Sequence, residues 1–111
     1  MTAPEPALHP AFVAARTPDR PALVFVAADG TRSTWTYGEL EARANRAAAL
    51  LRASGFAAGD VLAVLVGNRP EVFVLFWAAM RIGARFTPIS IHLKPAEIAW
   101  ILSSSRARAL V

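Results

Sequence analysis

Two histidines, three consecutive serines, one glycine-flanked loop and a scatter of carboxylates are the residues with which this sequence could do chemistry. A metal centre needs several donors on one point. His9 and His92 are far apart in the chain, neither has a pair of carboxylates close by, and cysteine is absent, so thiolate chemistry and a zinc cage are excluded. Ser103, Ser104 and Ser105 would need a general base to act as nucleophiles. None lies within the same helical turn, and the triplet reads better as a fraying helix end. The loop Gly55-Phe56-Ala57-Ala58-Gly59-Asp60 has the composition of a phosphate cradle but the wrong order. A cradle follows a strand and opens a helix, so that free N–H groups point at the anion, whereas this loop leaves a helix and enters a strand. Neither a Walker lysine pattern nor a dinucleotide glycine fingerprint occurs. Glu39 and Glu41 sit where a helix surface would solvate them, and Trp35, Trp77 and Trp100 lack the spacing of stacking platforms and read as packing residues. No catalytic, cofactor-binding or metal-binding residue is assigned. Asn68 and His92 share one suggestive position, just beyond the carboxyl ends of two expected parallel strands, where open α/β sheets bind ligands. A helix cap and a solvated loop residue are their simpler readings.

The elements that set those positions centre on residues 61–93. Val61-Leu62-Ala63-Val64-Leu65-Val66 is an unbroken apolar run with β-branched residues, the pattern of a strand buried on both faces of a parallel sheet. Gly67-Asn68-Arg69-Pro70-Glu71 then reads as a helix start, with Asn68 as the cap and Pro70 in the first turn. The helix should run through residues 72–82 and stop at Gly83, with Arg85-Phe86-Thr87-Pro88-Ile89 as the next strand of a right-handed β-α-β crossover. Between Val72 and Met80 the helix has no polar side chain except the Trp77 indole N–H. A surface helix keeps one polar face, so this one needs cover on its far side. A domain of this length buries only roughly 60–70% of its unfolded surface and has no layer to spare.

Ahead of that unit, five prolines in residues 1–21 leave room for one short helix at 11–16, stopped by Thr17-Pro18. Residues 22–27 read as a strand, Asp29-Gly30 as a tight turn and 31–35 as the return strand of a hairpin. Thr36-Tyr37-Gly38-Glu39 is a capping box. It opens a helix over 37–54 with an inner stripe of Leu40, Ala44, Ala47, Ala48 and Leu51, a Glu39–Arg43 pair, Arg52 at the negative end and Gly55 as the stop. Beyond the loop Ser90-Ile91-His92-Leu93, Pro95-Ala96-Glu97-Ile98 opens a third helix with Ile98, Ile101 and Leu102 inward and Trp100 at the boundary. Residues 107–111 begin another strand. The fold class is α/β, a β-hairpin followed by β-α-β-α-β parallel sheet elements. Residues 1–21 form a lead-in and residues 22–111 a partial subdomain, expected to continue past its last strand because domain boundaries fall in polar linkers.

Hydrophobic residues make up 55% of the 111 residues and charged residues 18%, which excludes a disordered chain. The net charge of +4 comes from basic residues placed singly, without the run that tracks a phosphate backbone, so nucleic acid is not an expected partner. The N-terminus lacks a secretory pattern, no apolar run is long enough to span a bilayer, and the expected location is cytoplasmic.

Five segments, taken in order, resemble the amino-terminal part of the adenylate-forming (AMP-binding) acyl-CoA synthetase superfamily. They are Thr34-Trp35-Thr36-Tyr37-Gly38-Glu39-Leu40-Glu41-Ala42-Arg43-Ala44-Asn45-Arg46, Gly59-Asp60-Val61-Leu62-Ala63-Val64-Leu65, Asn68-Arg69-Pro70-Glu71, Ala78-Ala79-Met80-Arg81-Ile82-Gly83-Ala84 and Leu93-Lys94-Pro95-Ala96-Glu97-Ile98. The stretch His92-Leu93-Lys94-Pro95-Ala96-Glu97 is most similar to bacterial fatty-acyl-CoA ligases. The resemblance implies a two-step reaction in an intact enzyme that uses ATP, Mg²⁺ and coenzyme A. A carboxylate attacks the α-phosphate of ATP to give an acyl-adenylate, and the thiol of coenzyme A then displaces AMP. The phosphate loop ending in Pro-Lys-Gly, the acidic ribose motif and the carboxyl-terminal lid of that superfamily are absent from these residues, so no functional residue is carried over. Lys94 also stands where relatives often have a capping Thr or Ser, a loss worth about 1 kcal/mol. The implied role is a scaffold, inactive alone and binding no cofactor, whose partner is the remainder of the AMP-binding enzyme in the same or a separate chain. A self-contained interaction module using Phe73, Phe76 and Trp77, or one chain of a split ligase, are the alternatives.

Overall fold

Prolines confine the first helix, and the computed structural model, which describes residues 10–111, places α1 at Pro10–Arg16. Thr17 closes it by donating its hydroxyl to the Val13 carbonyl at 3.1 Å, and the helix packs on the next one, Tyr37–Ala53. The hairpin forms as expected, with β1 (Pro21–Val26) antiparallel to β2 (Arg32–Thr36). Its turn needs a left-handed residue, and Gly30 takes φ 87° there. Asp29 braces the turn by accepting the Thr31 N–H at 2.9 Å, a bond that holds its carboxyl below the usual range.

Helix α2 (Tyr37–Ala53) starts on Thr36, whose hydroxyl accepts the Glu39 N–H at 3.1 Å, and buries Leu40, Ala44 and Ala48. Gly55, at φ 93°, provides the expected stop. Arg43 does not need Glu39: its guanidinium lies 4.1 Å over the Trp35 ring and joins the helix to the hairpin.

Strand β3 is shorter than the apolar run, Val61–Val64, and all four of its residues are buried. It is the centre of a parallel sheet of order β4-β3-β5, with β4 at Arg85–Pro88 and β5 at Ala109–Leu110. Helix α3 (Glu71–Ile82) is capped differently from expectation. Pro70 occupies the cap position in helical geometry without a side-chain bond, and the first donors go to backbone instead, Val72 N–H to Arg69 C=O and Phe73 N–H to Pro70 C=O. This tight turn makes an Asn68 cap unnecessary. Helix α4 (Pro95–Ser105) includes the three serines in full and ends at Arg106, which takes the left-handed conformation. Fraying is avoided because Arg106 N–H and Ala107 N–H bond back to Ser103 and Leu102 carbonyls. The last strand accordingly begins at Ala109, after this reversal.

One face of the sheet presents Leu62 and Val64, against which Ala48 of α2 and Ala78 and Ile82 of α3 pack, with Phe86 and Ala109 beside them. The crossover through α3 leads from β3 to β4, and that through α4 leads back past β3 to β5. Two right-handed crossovers in opposite directions must lie on opposite faces. Helix α4 therefore serves the second face, but none of its residues is buried, and Ile98, Ile101 and Leu102 are half-buried only. The far side of α3 is also bare, since Phe73, Phe76 and Met80 are exposed.

Gly83 ends α3 at φ 74°, and a Cβ there would stand 3.2 Å from the Ala58 Cβ. Gly83→Ala adds left-handed strain to that crowding and is expected to cost about 1–2 kcal/mol, read as a lower urea midpoint at unchanged slope.

Candidate functional site

The opposite directions of the two crossovers make the carboxyl ends of β3 and β4, bounded by residues 65–70 and 89–94, a topological switch point, the place where open α/β sheets bind ligands. The loops touch: a Cβ on Gly67 would lie 3.5 Å from the Ile91 Cδ1. Both residues singled out in the sequence, Asn68 and His92, fall on this edge. His92 is exposed, and its backbone N–H donates to Ser90 Oγ at 3.2 Å. Arg69 is paired with Glu71 at 3.0 Å across an exposed surface, a contact that water screens heavily. The edge offers hydrogen-bonding groups to a ligand but joins no nucleophile to a base.

Other candidates resolve into structure. The loop at 55–60 is a helix-to-strand turn at the opposite end of the sheet, closed by Asp60 Oδ2 accepting the Ala57 N–H at 2.8 Å and by Gly59 N–H bonding to Gly83 C=O. Ser105 Oγ donates to the Leu102 carbonyl inside α4. His9 lies outside the described residues. Among the described residues no group of three or more His, Asp or Glu could hold a metal ion.

Sequence reasoning missed two features. Glu41 is not a solvated surface carboxylate: it forms an ion pair with Arg81, joining α2 to α3, with side chains only 18% and 25% exposed. Arg81 Nε is buried beside this pair without a partner. The second feature is an open cavity of about 480 Å³ along α4, lined by Leu93, Ala96, Glu97, Trp100 and Ile101. Trp100, expected at a boundary, is 70% exposed on its rim. Glu97 is already engaged, accepting the Lys94 N–H at 2.9 Å, which restores half of the cap that lysine itself cannot supply. The i, i+4 spacing of 93, 97 and 101 was the available signal for this groove.

No residue cluster on this sheet edge specifies a reaction, so kinship has to be read from the chain as a whole. The model of the AMP-binding enzyme family matches residues 11–111, nearly every residue whose fold has been described. The chain belongs to the AMP-binding enzyme family. It is 38% identical over 93 residues to a crotonobetaine/carnitine–CoA ligase of Citrobacter koseri, covering 84% of this chain and 18% of that protein. With a long-chain-fatty-acid–CoA ligase of Mycobacterium tuberculosis it shares 40% identity over 76 residues, 68% of this chain and 15% of the ligase. Among solved structures, the N-terminal subdomain of Klebsiella oxytoca NpsA superposes with a TM-score of 0.81 at 30% identity, covering 92% of this chain and 26% of that one. This AMP-binding chain spans less than a fifth of the length of these curated CoA-ligase relatives. The α/β architecture is that of the N-terminal part of such enzymes. Among the described residues no helix is long and apolar enough to cross a membrane.

Proposed function

We propose that this polypeptide is the N-terminal scaffold of an ATP-dependent carboxylate–CoA ligase and is catalytically inactive on its own. Residues 1–21 are its lead-in and residues 22–111 a partial subdomain of the AMP-binding domain. The observation that carries the reading is the family match over 11–111 in a chain that corresponds to 15–18% of the length of these ligase relatives. In the intact, cytoplasmic enzyme ATP, Mg²⁺ and coenzyme A would supply the activation and the acceptor thiol, and the present residues would hold the pocket walls at fixed spacing. The stretch at 92–97 favours a fatty acid as the carboxylate. Purified alone, the chain is expected to show no ATP–pyrophosphate exchange above background with fatty, aromatic or short-chain carboxylates. Exchange that depends on both ATP and a carboxylate would overturn the scaffold reading.

A further inference from the structure

We propose that Arg108 is a positioning residue for the switch-point edge. It clasps β5 to the α2–β3 turn at the other end of the sheet, so that the turn, the strand and the backbone at Leu65 open and close as one unit. Arg108 N–H donates to the Val61 carbonyl at 2.8 Å and so joins β5 to β3. Its side chain then folds over the turn. Nη1 lies 3.7 Å from Asp60 Oδ2, the guanidinium carbon lies 5.6 Å from the centre of the Phe56 ring, and Nη2 occupies the space a side chain at Gly55 would need, 2.8 Å from a Cβ there. Gly55 therefore answers two demands: its φ of 93° is left-handed, and its missing Cβ is the gap that receives the guanidinium. The Asp60 carboxylate serves both segments, because the Oδ2 that faces Arg108 also accepts the Ala57 N–H that closes the turn. An ion pair this exposed holds little alone, and the clasp comes from three contacts acting on one planar group.

Strand β5 needs such a clasp. It has two residues, of which Ala109 has a single methyl to bury and Leu110 is 45% exposed, so apolar contact contributes little to its docking. The turn's backbone ties run the other way, toward β4, through Gly59 N–H to the Gly83 carbonyl and Arg85 N–H to the Asp60 carbonyl. The Arg108 side chain joins the turn to β5, and the strand carries the constraint along the sheet. Val111 N–H bonds to the Ala63 carbonyl at 2.9 Å, and the Val111 carbonyl accepts the Leu65 N–H at 2.8 Å. Leu65 opens the segment 65–70 that bounds the switch point. A segment with so few bonds of its own opens as a whole, and releasing Arg108 at one end frees Leu65 at the other.

Amide hydrogen exchange of the full 111-residue chain, resolved by NMR, tests the clasp. In the unchanged protein at low urea, the amides of Phe56, Gly59, Leu65 and Val111 are expected to share one opening equilibrium, reached more readily than that of Ile89, whose N–H bonds to the Val64 carbonyl on the β4 side. Arg108→Ala is expected to speed exchange at all four about 10-fold and to leave Ile89 unchanged. Acceleration at Val111 without Phe56 and Gly59, or without Leu65, would overturn the proposal. So would an equal rise at Ile89, the mark of general destabilisation. Should Arg108→Ala not fold, the urea series on the unchanged protein decides the matter, and separate openings for the turn and for Leu65 overturn the assignment.

Discussion

Leu62→Ala is expected to lower the unfolding free energy by about 3–5 kcal/mol, a large fraction of the roughly 5–15 kcal/mol that a domain of this size possesses. Leu62 is fully buried in the central strand, and its side chain meets the faces of both α2 and α3. Removing its branched end forfeits the transfer energy of the lost carbons and leaves a void that the short, fixed strand cannot collapse to fill. Chemical denaturation followed by far-UV circular dichroism measures the effect. A loss below about 1 kcal/mol would mean that the site can close up and that the core is looser than its burial implies.

The second large effect is at the pair between the helices. Glu41→Ala leaves Arg81 charged and partly buried, with Nε already lacking a partner, and is expected to cost about 2–4 kcal/mol. The double variant Glu41→Leu/Arg81→Met should recover most of that loss, because removing both charges also removes the desolvation each suffers. A double-mutant cycle of urea melts provides the check. If the double variant is no more stable than Glu41→Ala, the two helices depend on the charges themselves for their docking.

The order of elements was legible because each has a local cause. The apolar run at 61–64, the alanine stripe of α2, and Gly55 and Gly83 at φ 93° and 74° all follow from neighbouring residues. Boundaries were less legible where backbone competes with side chain, as at Pro70, whose turn displaces Asn68 from the cap. The Glu41–Arg81 pair joins helices 40 positions apart, and no local pattern announces it. For the candidate site, the shared edge of Asn68 and His92 followed from strand polarity alone. The cavity beside Trp100 did not, because its openness depends on how closely α4 approaches the sheet, a tertiary quantity.

The central position of β3 has a consequence for the order of folding. During synthesis the hairpin and α2 can form as soon as they leave the ribosome, since their partners are adjacent in the chain. Strand β3 emerges next with neither neighbour made, and both of its ladders are parallel and non-local. Its four apolar residues must therefore stay shielded by α2 until α3 and β4 arrive, which makes the nascent interval between β3 and β5 the stage at which this polypeptide is most in need of a chaperone.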